Sequence, residues 1–261
     1  GGHSGDDRNK KRSNAIKLIA RFLYKANESY GLTLCSWQSG RMHNAIPRDG
    51  KVVFAIPEKH KENVRIDWNV FASEVEEEFH VTENSIEFFM QSADQQEVLP
   101  KAVSDNIILA LQAVDNGIMS MCQDKTLEWL VETSSNVASV TTTDAKCVVL
   151  TSQRSCVMSN LENICATIKS LFTLAGASVV QSDGYPAWKM NPNSRLTEVV
   201  VETYKQLFGK EPIVLGIHAG LECGLFSERY PHMDMVSFGP TLRFVHTPDE
   251  RLHSPTVKMV L

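Results

Sequence analysis

Between Arg12 and Asn27 the apolar residues Ala15, Ile16, Ile19, Phe22, Leu23 and Ala26 recur at the i, i+3, i+4, i+7 spacing that draws one stripe along a helix. Residues 32–37 and 51–56 are apolar and β-branched runs bounded by Gly31, Gly40, Pro47 and Gly50, which predicts two strands. Trp68, Phe71, Val75 and Phe79 mark a second helix whose wet face carries Glu74, Glu76, Glu77 and Glu78, and residues 85–90 predict a strand after it. A comparable order follows. Val103, Ile107, Leu111 and Val114 predict a helix over 102–114, and 137–142 with 146–151 predict paired strands across a Thr-Thr-Asp turn. Residues 161–174 predict a helix stopped by Gly176, and 177–181 one more strand.

Two successive units of this mixed order favour antiparallel sheets with helices on one face. The turn-rich stretch Ser182-Asp183-Gly184-Tyr185-Pro186 then marks a boundary, giving domains over 1–183 and 184–261. Beyond it the pattern is a helix over 194–208, a strand over 212–217 and a short strand near 235–238, an α/β succession.

Bulk properties exclude several classes. A formal charge of −5 over 261 residues argues against a nucleic-acid partner. No apolar run reaches the roughly 18 residues of a membrane span. The six cysteines are dispersed without a C-x-x-C pair, as expected for thiols in a reducing cytoplasm. Gly1-Gly2-His3-Ser4-Gly5 has neither the charged nor the apolar region of a targeting peptide, and reads as the interior of a longer protein.

Three clusters could carry chemistry. Gly2-His3-Ser4-Gly5-Asp6-Asp7 places an imidazole among glycines ahead of a helix, a candidate ligand site or simply a turn. Gly40-Arg41-Met42-His43-Asn44-Ala45-Ile46-Pro47-Arg48 offers an amide, an imidazole and two guanidiniums that suit a carboxylate or a polarised carbonyl, or form a polar hairpin loop. His218, Glu222, His232, Asp234, His246, Asp249, Glu250 and His253 are residue types that suit zinc, but their spacing matches no self-contained motif. Metal binding and a solvated surface are both open for them.

Together these stretches resemble the Xaa-His dipeptidases (aminoacyl-histidine dipeptidase, peptidase D), di-zinc metallopeptidases related to carboxypeptidase G2 and the aminoacylases. The resemblance rests on GGHSGDD with Asn14-Ala15, NAIPR at 44–48, LVETSSN at 130–136, QRSCV at 153–157, HAGLECGLF at 218–226, MDMVSFGPT at 233–241 and HTPDERL at 246–252. The match departs from the usual pattern at Asp7-Arg8-Asn9-Lys10-Lys11 and at Ser36-Trp37-Gln38-Ser39.

The resemblance implies an α+β lid of two ferredoxin-like units, followed by an α/β remnant of the catalytic domain whose N-terminal part is absent. It implies two zinc ions in the full-length enzyme, with His246 the ligand this chain contributes. His3 corresponds to the residue that polarises the scissile carbonyl, Asn44 and Arg154 to residues that hold the substrate, and Gly220 to its lining loop. The implied activity is hydrolysis of dipeptides, carnosine-like Xaa-His ones above all, with this chain alone inactive. A related metal-dependent amino-acid deacylase and a non-enzymatic dimerisation module are the alternatives, and a homodimer is compatible with the sequence.

Overall fold

The computed structural model describes the chain except residues 6, 84, 126, 144–145, 183, 185, 187, 189, 217, 219–221 and 244–249. In chain order the elements are β1 (Gly2–His3), a 3-10 turn (Arg8–Lys10), α1 (Ala15–Tyr30), β2 (Thr33–Gly40), β3 (Ala45–Ile46), β4 (Gly50–Ala55), a second 3-10 turn (Glu58–His60) and α2 (Lys61–Phe79). These are followed by α3 (Lys101–Ala113), β5 (Gly117–Met121), β6 (Val131–Thr142), β7 (Cys147–Ser155) and α4 (Met158–Leu174). Then come α5 (Arg195–Phe208), α6 (Glu222–Arg229), β8 (Leu242–Arg243), β9 (Arg251–Leu252) and α7 (Ser254–Val260). They fall into two compact units, Gly1–Ala187 with Gly216–Gly220, and Trp188–Leu215 with Leu221–Leu261.

The expectation of two α+β units with separate sheets is overturned. The first unit holds one five-stranded antiparallel sheet drawn from both halves of its sequence. β6 is the reason. One of its edges is shared, with Val131–Ser135 facing β5 and Ser139–Thr141 facing β2, while β7 pairs along nearly the whole strand. β4 completes the sheet beyond β2. A twelve-residue strand is long enough to take two shorter partners end to end on one side, so the hairpin of the first half closes on the second half rather than on itself.

α1 starts where it does because Asn14 caps it. The Asn14 Oδ1 accepts from the amides of Ile16 (2.9 Å) and Lys17 (3.4 Å), as an N-cap side chain should. Its Nδ2 donates to the Val137 carbonyl of β6 (2.9 Å) and to Asn116 Oδ1 (3.0 Å), and Asn116 in turn accepts from the Val137 amide (3.0 Å). The cap is therefore also a bolt between helix and central strand. Further along α1, Lys17 Nζ donates to the carbonyls of Leu111, Gln112 and Val114 at the end of α3, and burial pushes its pKa down to about 8.

The apolar stripe of α1 (Ile16, Ala20, Leu23) packs into one core with Leu34 and Trp37 of β2, Ile108 and Leu111 of α3, Val137 and Val140 of β6, and Ile164 and Ile168 of α4. Residues 85–90, read above as a strand, join no ladder. Phe88 instead meets Trp68 edge-on at 5.6 Å and Phe71 at 6.3 Å, so aromatic packing on α2 does the burying that pairing would have done. Residues 177–181 likewise join no ladder: Val179 packs on the core and Gln181 Nε2 donates to the Cys165 carbonyl of α4 (3.1 Å).

In the second unit, α5 is capped by Ser194 Oγ, which accepts from the Thr197 amide at 3.0 Å. None of its residues is fully buried, and Val200, Val201, Tyr204 and Phe208 are half-buried. The strands expected over 212–217 and 235–238 join no ladder among the described residues, where the one pairing in this unit is β8 with β9. Among the described residues no helix is long and apolar enough to cross a membrane.

Candidate functional site

The polar run Glu132-Thr133-Ser134-Ser135-Asn136 is almost wholly buried, Ser134, Ser135 and Asn136 at 1%, 0% and 1% exposure. Side chains of a strand alternate between faces, so Glu132, Ser134 and Asn136 share the face opposite to Thr133 and Ser135. Arg154 of β7 stands directly across from Ser134 and so belongs to that same face.

Over this face lies the small β1–β3 ribbon. Gly2 pairs with Ile46 and His3 with Ala45, and the Ser4 amide donates to the Asn44 carbonyl (2.8 Å). Asn136 Nδ2 ties the ribbon down through the carbonyl of Ala45 at 2.8 Å, with that of His43 at 3.5 Å. Among the described residues nothing donates to its Oδ1. His3 and Asn44 are thereby fastened to the strand that neighbours Arg154.

The His3 ring is held by its own turn. The Gly5 amide donates to His3 Nδ1 (3.2 Å), which in the neutral imidazole places the proton on Nε2. Asp7 Oδ2 accepts from the His3 amide (2.7 Å). Partial burial works to raise the Asp7 pKa, but donors from Lys10 and from the His3 backbone outweigh it and keep the carboxyl below its usual range.

A third segment closes the arrangement. His218 is 8% exposed, with its Nε2 2.7 Å from Ser134 Oγ. The site residues expected from sequence are thus partly gathered: His3, Asn44 and Arg154 come together around β6. Gly220 and His246 lie outside the described residues. Ser134, Asn136 and the pairing of His218 were missed. The one sequence signal for them is an unbroken polar run joined to the β-branched 137–142, which marks a strand with a buried polar face.

His218 is engaged by Ser134, and Asp234 Oδ2 accepts from the Leu196 amide at the start of α5 (2.9 Å). Among the described residues no three His, Cys, Asp or Glu side chains come together to hold a metal. The six cysteines are free and half-buried; burial, with Cys122 and Glu132 nearby, pushes Cys156 up to about 11, which makes it a poor nucleophile. A cleft of about 530 Å³ bordered by Arg41, Asp49 and Lys51 lies on β2 and β4 and includes none of His3, Asn44 or Arg154.

An imidazole donor, an arginine and an amide over one buried polar face suit recognition of a peptide's carbonyl and carboxylate. The sequence matches the profile of Peptidase family M20/M25/M40 over residues 14–259. The chain belongs to this family. Within family M20/M25/M40, it is 36% identical over 258 residues to the cytosol non-specific dipeptidase of Escherichia coli (strain K12), covering 98% of this chain and 53% of that protein. It is also similar to the crystal structure of aminoacylhistidine dipeptidase from Vibrio alginolyticus, with a TM-score of 0.86 and 38% identity over 99% of this chain and 52% of that one. The chain spans about half the length of these family members.

Proposed function

We propose that the full-length protein is a cytoplasmic, zinc-dependent dipeptidase preferring Xaa-His substrates. Residues 1–183 form its lid, and 184–261 are the C-terminal segment of its catalytic domain. The observation that carries the reading is the placement of His3, Asn44 and Arg154 around one buried polar face, in a family M20/M25/M40 chain similar to two dipeptidases. His246 is the ligand this chain gives to one of two zinc ions; among the described residues no three His, Cys, Asp or Glu side chains come together to hold a metal. When bound, such a metal pair would lower the pKa of a water it holds and polarise the scissile carbonyl.

This chain's own residues handle the substrate. Neutral His3, with Nδ1 occupied by Gly5, offers Nε2–H to the oxygen of the scissile carbonyl as it gains charge. Arg154 pairs with the C-terminal carboxylate, Asn44 hydrogen-bonds the same end of the dipeptide, and Gly220 lines the pocket. A homodimer is compatible with this arrangement.

Kinetics of the full-length enzyme test the assignment. His3→Ala is expected to lower kcat by roughly 10²–10³, because a donor to the oxyanion acts in the transition state. Arg154→Ala is expected mainly to raise KM, because the carboxylate is held alike in ground and transition states. An effect of His3→Ala confined to KM would overturn its role.

A further inference from the structure

We infer that His218, acting through Ser134, is a positioning residue that locks the two substrate-handling groups of this unit into one block; the inference rests on the dipeptidase reading above. Three observations carry it. The ring of His218 is bound to Ser134 Oγ at 2.7 Å in a buried setting, across 84 positions of sequence. Ser134 is the residue that faces Arg154 across the β6–β7 ladder. The backbone of the same histidine seals the other group: a Cβ placed on Gly5 would meet the His218 carbonyl oxygen at 2.6 Å, and His3 Cε1 and Nδ1 at 3.2 and 3.3 Å.

His218 therefore touches both halves of the arrangement. Its side chain grips the rung that carries Arg154, and its carbonyl backs the tight turn whose Gly5 amide orients the His3 ring. A buried hydroxyl and a buried imidazole that lose each other leave unmade hydrogen bonds, which the surroundings can relieve only by shifting. Any shift of His218 is felt at once by the Gly5 turn and by β6. Glycine at position 5 is required for this close approach, since any side chain would push the His218 carbonyl away.

The full-length enzyme tests the inference with Ser134→Ala, His218→Ala, the double variant and His218→Gln. Each is assayed on an Xaa-His dipeptide and on its C-terminal amide, which lacks the carboxylate that Arg154 holds. Each single alanine variant should raise KM for the dipeptide roughly 3- to 10-fold, the worth of one net hydrogen bond. The double variant should be no worse than either single one; KM for the amide should change little, while kcat, which His3 serves, should fall alike on both substrates. His218→Gln, whose amide can donate to or accept from Ser134 Oγ, should recover most of the loss. Should His218→Ala prove insoluble, Ser134→Ala removes a single oxygen and carries the test.

Hydrogen exchange supplies a readout independent of activity. In Ser134→Ala the amide of His218 and those of residues 3–5 should lose protection together. An unchanged KM for the dipeptide, equal rises of KM on dipeptide and amide, additive single effects, or exchange confined to β6 would each overturn the inference. A wild-type enzyme that cleaves no dipeptide would sink the dipeptidase reading, and the exchange measurement would still decide the positioning.

Discussion

Gly40 ends β2 with φ +66°, and a Cβ built there would lie 2.0 Å from the Ala138 carbonyl oxygen and 3.0 Å from Pro47 Cγ. Gly31, at the end of α1, has nearly the same backbone, φ +70°, with nothing within 4 Å of its virtual Cβ. The two glycines make a matched pair. Replacing either by alanine costs about 1–2 kcal/mol for the left-handed backbone alone. At Gly40 the added carbon must also gain about 1 Å or more of clearance from a carbonyl to reach ordinary contact distance. That carbonyl belongs to β6, at the Gly40–Ser139 rung where β2 joins it. Such overpacking adds roughly 1–3 kcal/mol, so Gly40→Ala should cost about 2–5 kcal/mol against about 1–2 for Gly31→Ala. For a unit of this size each kcal/mol moves Tm by about 2–4 °C, so the gap between the variants should be plain in thermal melts. Urea titrations followed by hydrogen exchange at the β2–β6 amides would locate the damage. Equal costs for the two variants would refute the claim that the approach of β2 to β6 is what demands glycine at position 40.

Other expectations follow from the same contacts. Asn14→Ala removes the α1 cap and leaves the Val137 carbonyl without its Nδ2 donor, so unfolding should show a loss of roughly 2–4 kcal/mol, more than an exposed cap would give. Burial works to raise the Glu83 pKa, but donors from the Ser13 amide and hydroxyl, with the positive charge of Arg12, hold it below the ordinary value of 4.5. A depressed folded pKa means stability that is fully present above the ordinary carboxylate range and is lost as pH falls through the folded value. Glu83→Gln should therefore flatten the acid limb of a stability-versus-pH curve, and an unchanged limb would count against the Ser13 contacts. The 261-residue chain incubated with zinc and then desalted should retain much less than one equivalent, since the proposed function draws a single ligand for the pair, His246, from it; elemental analysis near two equivalents would contradict this.

Much of the helical layout was legible because amphipathic stripes and caps are local. Ala15, Ile16, Ile19, Phe22 and Leu23 write α1 directly, and the Asn14 cap and Gly31 stop agree with them. The sheet was less legible. The first half of β6 is polar yet buried, so Val131–Asn136 lacks the apolar alternation by which strands are read. Residues 85–90 have that alternation and spend it on α2 instead. The same locality governed the site. His3, Asn44 and Arg154 lie in short stretches that resemble family motifs, whereas the partnership of Ser134 with His218 exists only after the chain has doubled back across 84 positions.

The sharing of β6 by β2 and β5 bears on how the polypeptide is made. During synthesis β2 and β4 emerge as a lone hairpin, and two strands by themselves are marginal in water. Their acceptor strand, ending at Thr142, leaves the ribosome only after roughly 100 further residues, some 5–20 seconds later at ordinary elongation rates. Through that interval the free edge of β2 is open to wrong partners, including the same edge on a neighbouring nascent chain. Slowing translation between codons 56 and 130 should lengthen that exposure and increase aggregation, while leaving the sequence of the finished protein unaltered.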